Sequence, residues 1–88
     1  MKLQIENSFV KDIRKYKDKK LWKRIEDIFI QIEETESLSK IPNVKALKVN
    51  GHFYRVRIRD YRLGFELIDN CVRILAFGHR NDFYRGFP

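Results

Sequence analysis

Residues 54–62 read YRVRIRDYR, in which apolar and cationic side chains alternate. An alternation with a period of two is typical of a half-buried β-strand, and Tyr, Val and Ile all favour strands. The pattern predicts a strand at 53–59 with Tyr54, Val56 and Ile58 on the face turned to the core. The stretch also holds four arginines within eight positions, namely Arg55, Arg57, Arg59 and Arg62. The first three are expected to line the opposite face about 7 Å apart, and the fourth to begin the neighbouring strand close to them.

Downstream of this stretch the alternation continues as a meander. Asp60 marks a tight reversal, and Asp69-Asn70 marks a second one. These reversals separate the first strand from strands predicted at 61–68 and 71–77. The third of these strands is strongly apolar, so the sequence predicts an antiparallel sheet with this strand buried.

Upstream, the sequence predicts a short strand at 2–6 and then two helices. The second helix, at about 18–36, carries a single apolar stripe at helical spacing, formed by Leu21, Trp22, Ile25, Ile28, Phe29 and Ile32. Residues 45–49 are either a short strand or an extended loop. The order β-α-α-β-β-β predicts an α+β fold for a single domain at 1–88, a small sandwich in which both helices cover one face of the sheet and the arginine face stays open.

The charge distribution points to a polyanion as the partner of the arginine face. The net charge is +7, and residues 37–88 carry ten Lys/Arg against four Asp/Glu, whereas residues 1–36 carry nine against eight. Arginine forks bind phosphate oxygens bidentately, which favours a nucleic acid. The alternative is that the arginines only form the solvent-exposed face of an amphipathic strand. With one cysteine, no disulfide and no apolar run of membrane-spanning length, we expect a cytoplasmic protein that does not contact membranes.

The C-terminal stretch FGHRNDFYRGFP, residues 77–88, supplies groups that arginines lack. His79 is the side chain here that titrates near neutrality, so it is the candidate for proton transfer. Tyr84 can stack on a base or donate its hydroxyl proton. A surface loop would have a similar composition, and this alternative stays open. Two histidines and one cysteine without ligand spacing predict no metal site, and no cofactor is implied.

Two longer stretches, ALKVNGHFYRVRIRDYRLGFEL at 46–67 and VRILAFGHRNDFYR at 72–85, together resemble the RelE/ParE toxin superfamily of bacterial type II toxin–antitoxin systems. The first is similar to the family's glycine turn, basic strand and DYR motif, and the second to its final strand and GHR-x-D-x-YR ending. The resemblance covers nearly the whole chain and implies the RelE-like fold.

The resemblance also implies an activity: a metal-independent endoribonuclease that enters the ribosomal A site, contacts 16S rRNA and cuts mRNA by attack of a 2′-hydroxyl. The residues that match the catalytic positions of the RelE branch are Arg55, Arg57, Arg62, Arg80 and Tyr84, to which the residue chemistry adds His79. The expected RNA-binding residues are Lys45, Lys48, Arg59 and Arg85. Arginine keeps its proton, so the arginines are expected to hold phosphate and His79 to act as base or acid, with Glu66 or Asp82 assisting.

An acidic cognate antitoxin is the partner that the resemblance implies, with the toxin a monomer when alone and part of a hetero-oligomer when neutralised. Two other functions stay open. One is inhibition of DNA gyrase in the manner of ParE, which requires no phosphate-centred site. The other is a non-catalytic module that binds nucleic acid or the ribosome.

Overall fold

The structure, a computed structural model that describes residues 1–47 and 51–88, contains a five-stranded sheet and, within those residues, three α-helices. The strand order across the sheet is β1-β5-β4-β3-β2, with β1 parallel to β5 and the other neighbours antiparallel. No helix of the described residues is long and apolar enough to cross a membrane. In chain order the elements are β1 (Lys2–Ile5), α1 (Asn7–Ile13), α2 (Lys19–Glu34), a short 3-10 helix (Leu38–Lys40), β2 (Val44–Ala46), β3 (Phe53–Ile58), β4 (Tyr61–Ile68), β5 (Cys71–His79) and α3 (Arg80–Gly86).

The α+β fold and the predicted order of its elements are confirmed, and three details differ. The sheet is mixed rather than wholly antiparallel, because β1 lies parallel to β5. The stretch left open at 45–49 contributes to the short strand β2, while residues 48–50 lie outside the described residues. The third difference is α3, since a surface loop was one interpretation of this segment. This helix packs on the arginine side of the sheet, which was expected to be uncovered.

The apolar stripe of α2 forms the helical side of the core. Leu21, Ile25 and Ile32 are buried, and burying each side chain contributes about 1.5–3 kcal/mol. They pack against buried residues of the sheet, which are Val56, Ile58, Leu63, Phe65, Val72, Ile74 and Phe77. Trp22 departs from the prediction, because it is 41% exposed at the edge of the helix rather than in the core.

Helix α1 covers the outer edge of β5 beyond the point where β1 ends. The hydroxyl of Ser8 donates to the carbonyl of Leu75. One turn later, the carboxylate of Asp12 accepts from the amide of Phe77 at 3.0 Å. Beyond the end of α1, the hydroxyl of Tyr16 accepts from the amide of His79 at 3.3 Å. Side chains four residues apart lie on one helix face, so α1 turns Ser8 and Asp12 to the strand edge, and Tyr16 in the following segment continues the row.

A β-bulge in the β4–β5 pair reverses the side-chain pattern of β5. Phe65 lies opposite Ile74, but the preceding Gly64 lies opposite Ala76, which leaves Leu75 as the extra residue. Beyond the bulge each side chain of β5 points to the face opposite the one that strict alternation predicts. This explains why Phe77 and His79 turn towards α1 and α2.

The two predicted reversals both form. Asp69 and Asn70 have φ of 49° and 63°, as expected for a two-residue hairpin turn in which both central residues adopt positive φ. Arg59 also has a positive φ, 54°, because β3 ends at Ile58 and Arg59 belongs to the turn.

Candidate nucleic-acid interface

Four cations lie together on the sheet face opposite α1 and α2. Arg55 and Arg57 are alternate residues of β3, so they share this face. Lys45 of β2 lies directly opposite Arg55, and Arg62 of β4 lies directly opposite Arg57. We call these four residues the basic face. Like charges directly opposite each other destabilise a sheet, so three neighbouring strands carry an unfavourable arrangement at the same place.

Among the described residues, no carboxylate forms an ion pair with any member of the basic face. Two guanidinium groups are held by backbone carbonyls instead. Arg55 donates to the carbonyl of Asn43 at 2.9 Å, and Arg62 donates to those of Arg59 and Tyr61 at 3.1 and 2.9 Å. A carbonyl orients a guanidinium group without neutralising its charge, so the positive field of the face is preserved.

Two glutamates near this side of the sheet are engaged by a different arginine, Arg73. Glu66 accepts from Arg73 at 2.8 Å, and Glu6 accepts from the same arginine at 3.1 Å. The hydrogen bond with Glu6, followed by the charges of both glutamates, raises the pKa of the Arg73 guanidinium above its ordinary value. Arg73 points to the same sheet face as Arg62, since its partner Glu66 is four residues further along β4. The same side of the sheet therefore carries the neutralised Arg73 at one end and the four residues of the basic face at the other.

Helix α3 lies on this face and depends on Gly64. A Cβ built at Gly64 would lie 2.8 Å from Cζ of Phe83 and 2.8 Å from both Cε2 and Cζ of Phe87. Both rings are buried and in contact, with centroids 5.1 Å apart. Gly64 also lies directly opposite Arg55. The missing side chain thus lets α3 approach the sheet immediately beside the basic face.

This approach places Tyr84 over one end of the basic face. Tyr84 is 50% exposed and packs edge-on against Phe83 at a centroid distance of 5.0 Å. With Lys45 and Arg55 it lines a shallow pocket of about 350 Å³, which is completed by Ala46 and Leu47. An exposed aromatic ring beside two cations suits a nucleotide, because the ring can stack on a base while the cations contact phosphate.

The side chain of His79 lies away from the basic face. His79 pairs with Tyr61, and their rings meet edge-on on the side of α1 and α2 at 5.8 Å. Its Nδ1 accepts from the amide of Asn81 at 3.3 Å and so caps the first turn of α3. His79, the predicted base or acid, therefore does not share a sheet face with the arginines, because the bulge turns it to the other face.

Four more of the predicted residues lie around the basic face or outside the described residues. Arg80 is the first residue of α3 and lies beside the β3–β4 turn. Its amide donates to the backbone carbonyl of Asp60 at 2.7 Å, and its guanidinium lies 3.9 Å from the side-chain carboxylate of Asp60. Arg85 is exposed on α3, 3.8 Å from Asp82. Arg59 lies at the turn and not in the strand row. Lys48 falls outside the described residues.

Sequence reasoning missed the part of the site that depends on α3. Phe83, Tyr84 and Phe87 follow the spacing i, i+1 and i+4, which indicates a helix with an apolar face. A glycine in the middle of a predicted strand, Gly64, indicates that another element approaches closely. These two signals together could have predicted a helix packed on the arginine side.

Comparison with known proteins agrees with this architecture. Residues 3–84 match the family described as ParE toxin of type II toxin-antitoxin system, parDE. Over 89 aligned residues the chain is 30% identical to Toxin RelE3 of Methanocaldococcus jannaschii, covering all of both chains.

Solved structures show the same fold. The RelB-RelE antitoxin-toxin complex from Methanococcus jannaschii matches with a TM-score of 0.82 and 28% identity, over 97% of this chain and 99% of that chain. The archaeal RelE-RelB complex from Pyrococcus horikoshii OT3 matches with a TM-score of 0.72 and 23% identity, over 90% and 93% of the two chains. The isolated E. coli RelE toxin, at 18% identity and a TM-score of 0.68, covers 89% of this chain and 82% of that chain. At 18% identity this similarity shows the fold alone. The Pyrococcus horikoshii complex is archaeal, so proteins with this fold are not confined to bacteria. The chain therefore belongs to the RelE/ParE superfamily of toxins of type II toxin–antitoxin systems.

Proposed function

We propose that this toxin is an endoribonuclease that cuts mRNA in the ribosomal A site and that a cognate antitoxin holds it inactive. The observation that carries this proposal is the basic face, where four cations share three neighbouring strands beside the exposed ring of Tyr84. Similarity over the full length to Toxin RelE3 supports the RelE-type activity. The antitoxin-toxin complexes among the structural neighbours support the partner.

The proposed reaction is transfer of a phosphoryl group within the RNA strand. The 2′-oxygen attacks the adjacent phosphorus, a bond from this oxygen to phosphorus forms and the bond from phosphorus to the 5′-oxygen breaks. The 2′-hydroxyl loses a proton, the 5′-oxygen gains one, and the products are a 2′,3′-cyclic phosphate and a 5′-hydroxyl. Negative charge grows on the non-bridging oxygens during attack, so fixed cations around the phosphate lower the barrier.

The basic face provides these cations in a fixed arrangement. We assign Arg55, Arg57 and Arg62 to the scissile phosphate, because two of them are already oriented by carbonyls and all three keep their protons. We assign Tyr84 to stacking on the base next to the cut. Residues farther from this centre are assigned to flanking phosphates and to ribosomal RNA, and these are Arg59, Arg80 and Arg85. Lys48, which lies outside the described residues, is assigned to RNA binding from its sequence position alone.

The sequence predicts that His79 moves the proton. Its ring, however, lies on the other sheet face, and its Nδ1 already accepts a hydrogen bond. On the basic face and beside it, Lys45 and Tyr84 are the side chains with an exchangeable proton, since arginine does not give one up. We propose that the proton moves on this side of the sheet.

Purified toxin added to ribosomes that hold a defined codon in the A site is expected to cut the mRNA within that codon. Primer extension locates the cut, and the 5′ fragment is expected to end in a cyclic phosphate. Ribosome-free mRNA is the control for ribosome dependence. Intact mRNA together with trapped gyrase–DNA complexes would overturn the proposal in favour of a gyrase inhibitor, and binding without cleavage of either target would favour the non-catalytic module.

The variant His79→Asn separates the proton role of His79 from its structural role. Asparagine at this position can still accept from the amide of Asn81 and cap α3, but it cannot carry a proton at neutral pH. We expect the cleavage rate to stay within about threefold of the wild-type rate in a single-turnover assay. A general base or acid contributes about 100-fold or more, so a loss of that size would restore His79 as the proton carrier.

A further inference from the structure

The turn at residues 42–43 places one backbone carbonyl against the basic face. Proline followed by asparagine suits a type II turn, whose second central residue needs a positive φ. Asn43 has a φ of 67°, a left-handed conformation that asparagine adopts more readily than most other residues with a side chain. Strand β2 begins with the next residue, Val44. The direction of the Asn43 carbonyl is therefore set by a conformation that few residue types adopt.

This carbonyl accepts two hydrogen bonds from β3. The amide of Arg57 donates to it at 3.1 Å, which continues the pairing of β2 with β3 by one bond beyond Val44 and Val56. The guanidinium of Arg55 donates to the same oxygen at 2.9 Å. A carbonyl oxygen has two lone pairs and so accepts both bonds. A single atom thus fixes the backbone at one arginine of the basic face and the side chain of another.

Arg55 needs such a partner because its neighbours repel it. Lys45 lies directly opposite, and Arg57 shares the same face two residues away. No carboxylate in the described part of the chain forms an ion pair with Arg55. Holding a long side chain in one place also costs conformational entropy. The hydrogen bond to Asn43 offsets both effects and keeps the guanidinium on the face without neutralising it.

We propose that Asn43 is a positioning residue for cleavage, which acts through its left-handed backbone rather than through its side chain. Its carbonyl holds Arg55 and Arg57 in the arrangement that binds the scissile phosphate. The consequence for cleavage rests on the proposed function, whereas the geometry of the carbonyl does not. Fixed cations stabilise developing charge best when they need no reorganisation during the reaction. A residue at 43 that disfavours positive φ is therefore expected to slow the chemical step.

Two substitutions of Asn43 separate its backbone from its side chain. Asn43→Gly removes the side chain but adopts positive φ freely, so we expect a single-turnover cleavage rate within about threefold of wild type. Asn43→Val introduces a β-branched side chain, which strongly disfavours positive φ and so turns the carbonyl. Because a displacement of about 1 Å in a catalytic site can cost about 100-fold, we expect this variant to cleave at least about 10-fold more slowly.

Asn70→Val is the matched control for Asn43→Val. Asn70 has a φ of 63° in the hairpin between β4 and β5, at the end of β4 remote from Arg62. Its carbonyl accepts from the amide of Lys2 at 3.1 Å. The same substitution therefore imposes the same backbone conflict away from the basic face. We expect Asn70→Val to lower the urea midpoint of unfolding, as Asn43→Val does, but to cleave within about threefold of wild type.

Hydrogen exchange of the Arg57 amide tests the geometry without RNA. We expect this amide to be protected in the wild-type protein and in Asn43→Gly. In Asn43→Val its exchange is expected to be at least about 10-fold faster, because its acceptor has turned away. The amide of Leu67, which donates to the carbonyl of His52 at 2.9 Å, is the internal reference and is expected to exchange at the wild-type rate.

The proposal is overturned if Asn43→Val cleaves within about threefold of wild type, or if Asn43→Gly is as slow as Asn43→Val, since the side chain would then be responsible. Equal losses of cleavage in Asn43→Val and Asn70→Val would also overturn it, because stability alone would explain them. Asn43→Ala, with the same expected direction of change, replaces Asn43→Val if that variant does not fold. A wild-type toxin that cuts no RNA refutes the proposed function instead, and hydrogen exchange still decides whether Asn43 holds Arg57.

Discussion

Arg62→Gln is expected to lower the single-turnover rate of mRNA cleavage on ribosomes by about 100-fold or more, which is the usual effect of removing one fixed donor from a site of developing negative charge. Arg62 lies directly opposite Arg57 in the basic face, and the carbonyls of Arg59 and Tyr61 orient its guanidinium. Glutamine keeps a polar side chain of similar reach but removes the charge and the fork. The loss should fall mainly on the chemical step and less on ribosome binding.

Arg73→Gln is the matched control for this variant. Arg73 points to the same sheet face, but Glu6 and Glu66 neutralise it. Its replacement changes the net charge by the same amount as that of Arg62, so any general loss of electrostatic attraction is equal in the two variants. Cleavage by Arg73→Gln is expected to stay within about threefold of wild type. If both variants lose activity equally, the basic face acts through overall charge and the assignment of Arg62 to the scissile phosphate is wrong.

Gly64→Ala is expected to reduce cleavage by at least 10-fold and to lower the free energy of unfolding by about 1–3 kcal/mol, the range for inserting atoms into a packed site. The new methyl group would lie 2.8 Å from the rings of Phe83 and Phe87. Those rings are buried, so α3 must move away from the sheet. The movement would take Tyr84 from its position beside Arg55. Cleavage kinetics and urea unfolding measure the two effects separately.

Two other glycine variants serve as controls for Gly64→Ala. A Cβ at Gly78 would meet its nearest neighbour, Cα of Phe83, at an ordinary 3.7 Å, and one at Gly86 would meet nothing within 4 Å. Gly78→Ala and Gly86→Ala are therefore expected to cleave at nearly the wild-type rate. Wild-type activity in Gly64→Ala would show that the position of Tyr84 does not depend on the close approach of α3.

Local patterns predicted most of the fold. The stripe of α2 and the alternation of β3 depend on residues close in sequence, and period alone identifies them. The burial of Ile32 and Val56 follows directly from these patterns. Arg55, Arg57 and Arg62 were placed on one face for the same reason, and the structure brings them together.

The remainder depends on contacts between residues distant in sequence. Helix α3 is short and rich in polar residues, and it is fixed by Gly64, which lies about twenty positions upstream. The position of His79 depends on a single extra residue, Leu75, in the β4–β5 pair. Alternation cannot reveal this bulge, because it belongs to the pairing of two strands and not to either strand alone. Arg59 does not line up with Arg55 and Arg57, because it belongs to the hairpin turn and not to the strand.

The row formed by Ser8 and Asp12 of α1 and by Tyr16 just after this helix also affects how the protein behaves at high concentration. A strand edge with free amides and carbonyls invites another chain to add a strand, which leads to aggregates. These three side chains occupy the amides of Phe77 and His79 and the carbonyl of Leu75. Strand addition at this edge would first require α1 to detach, with loss of the buried Phe9. The part of β5 beyond β1 is thereby kept out of intermolecular pairing while the toxin is free of its antitoxin.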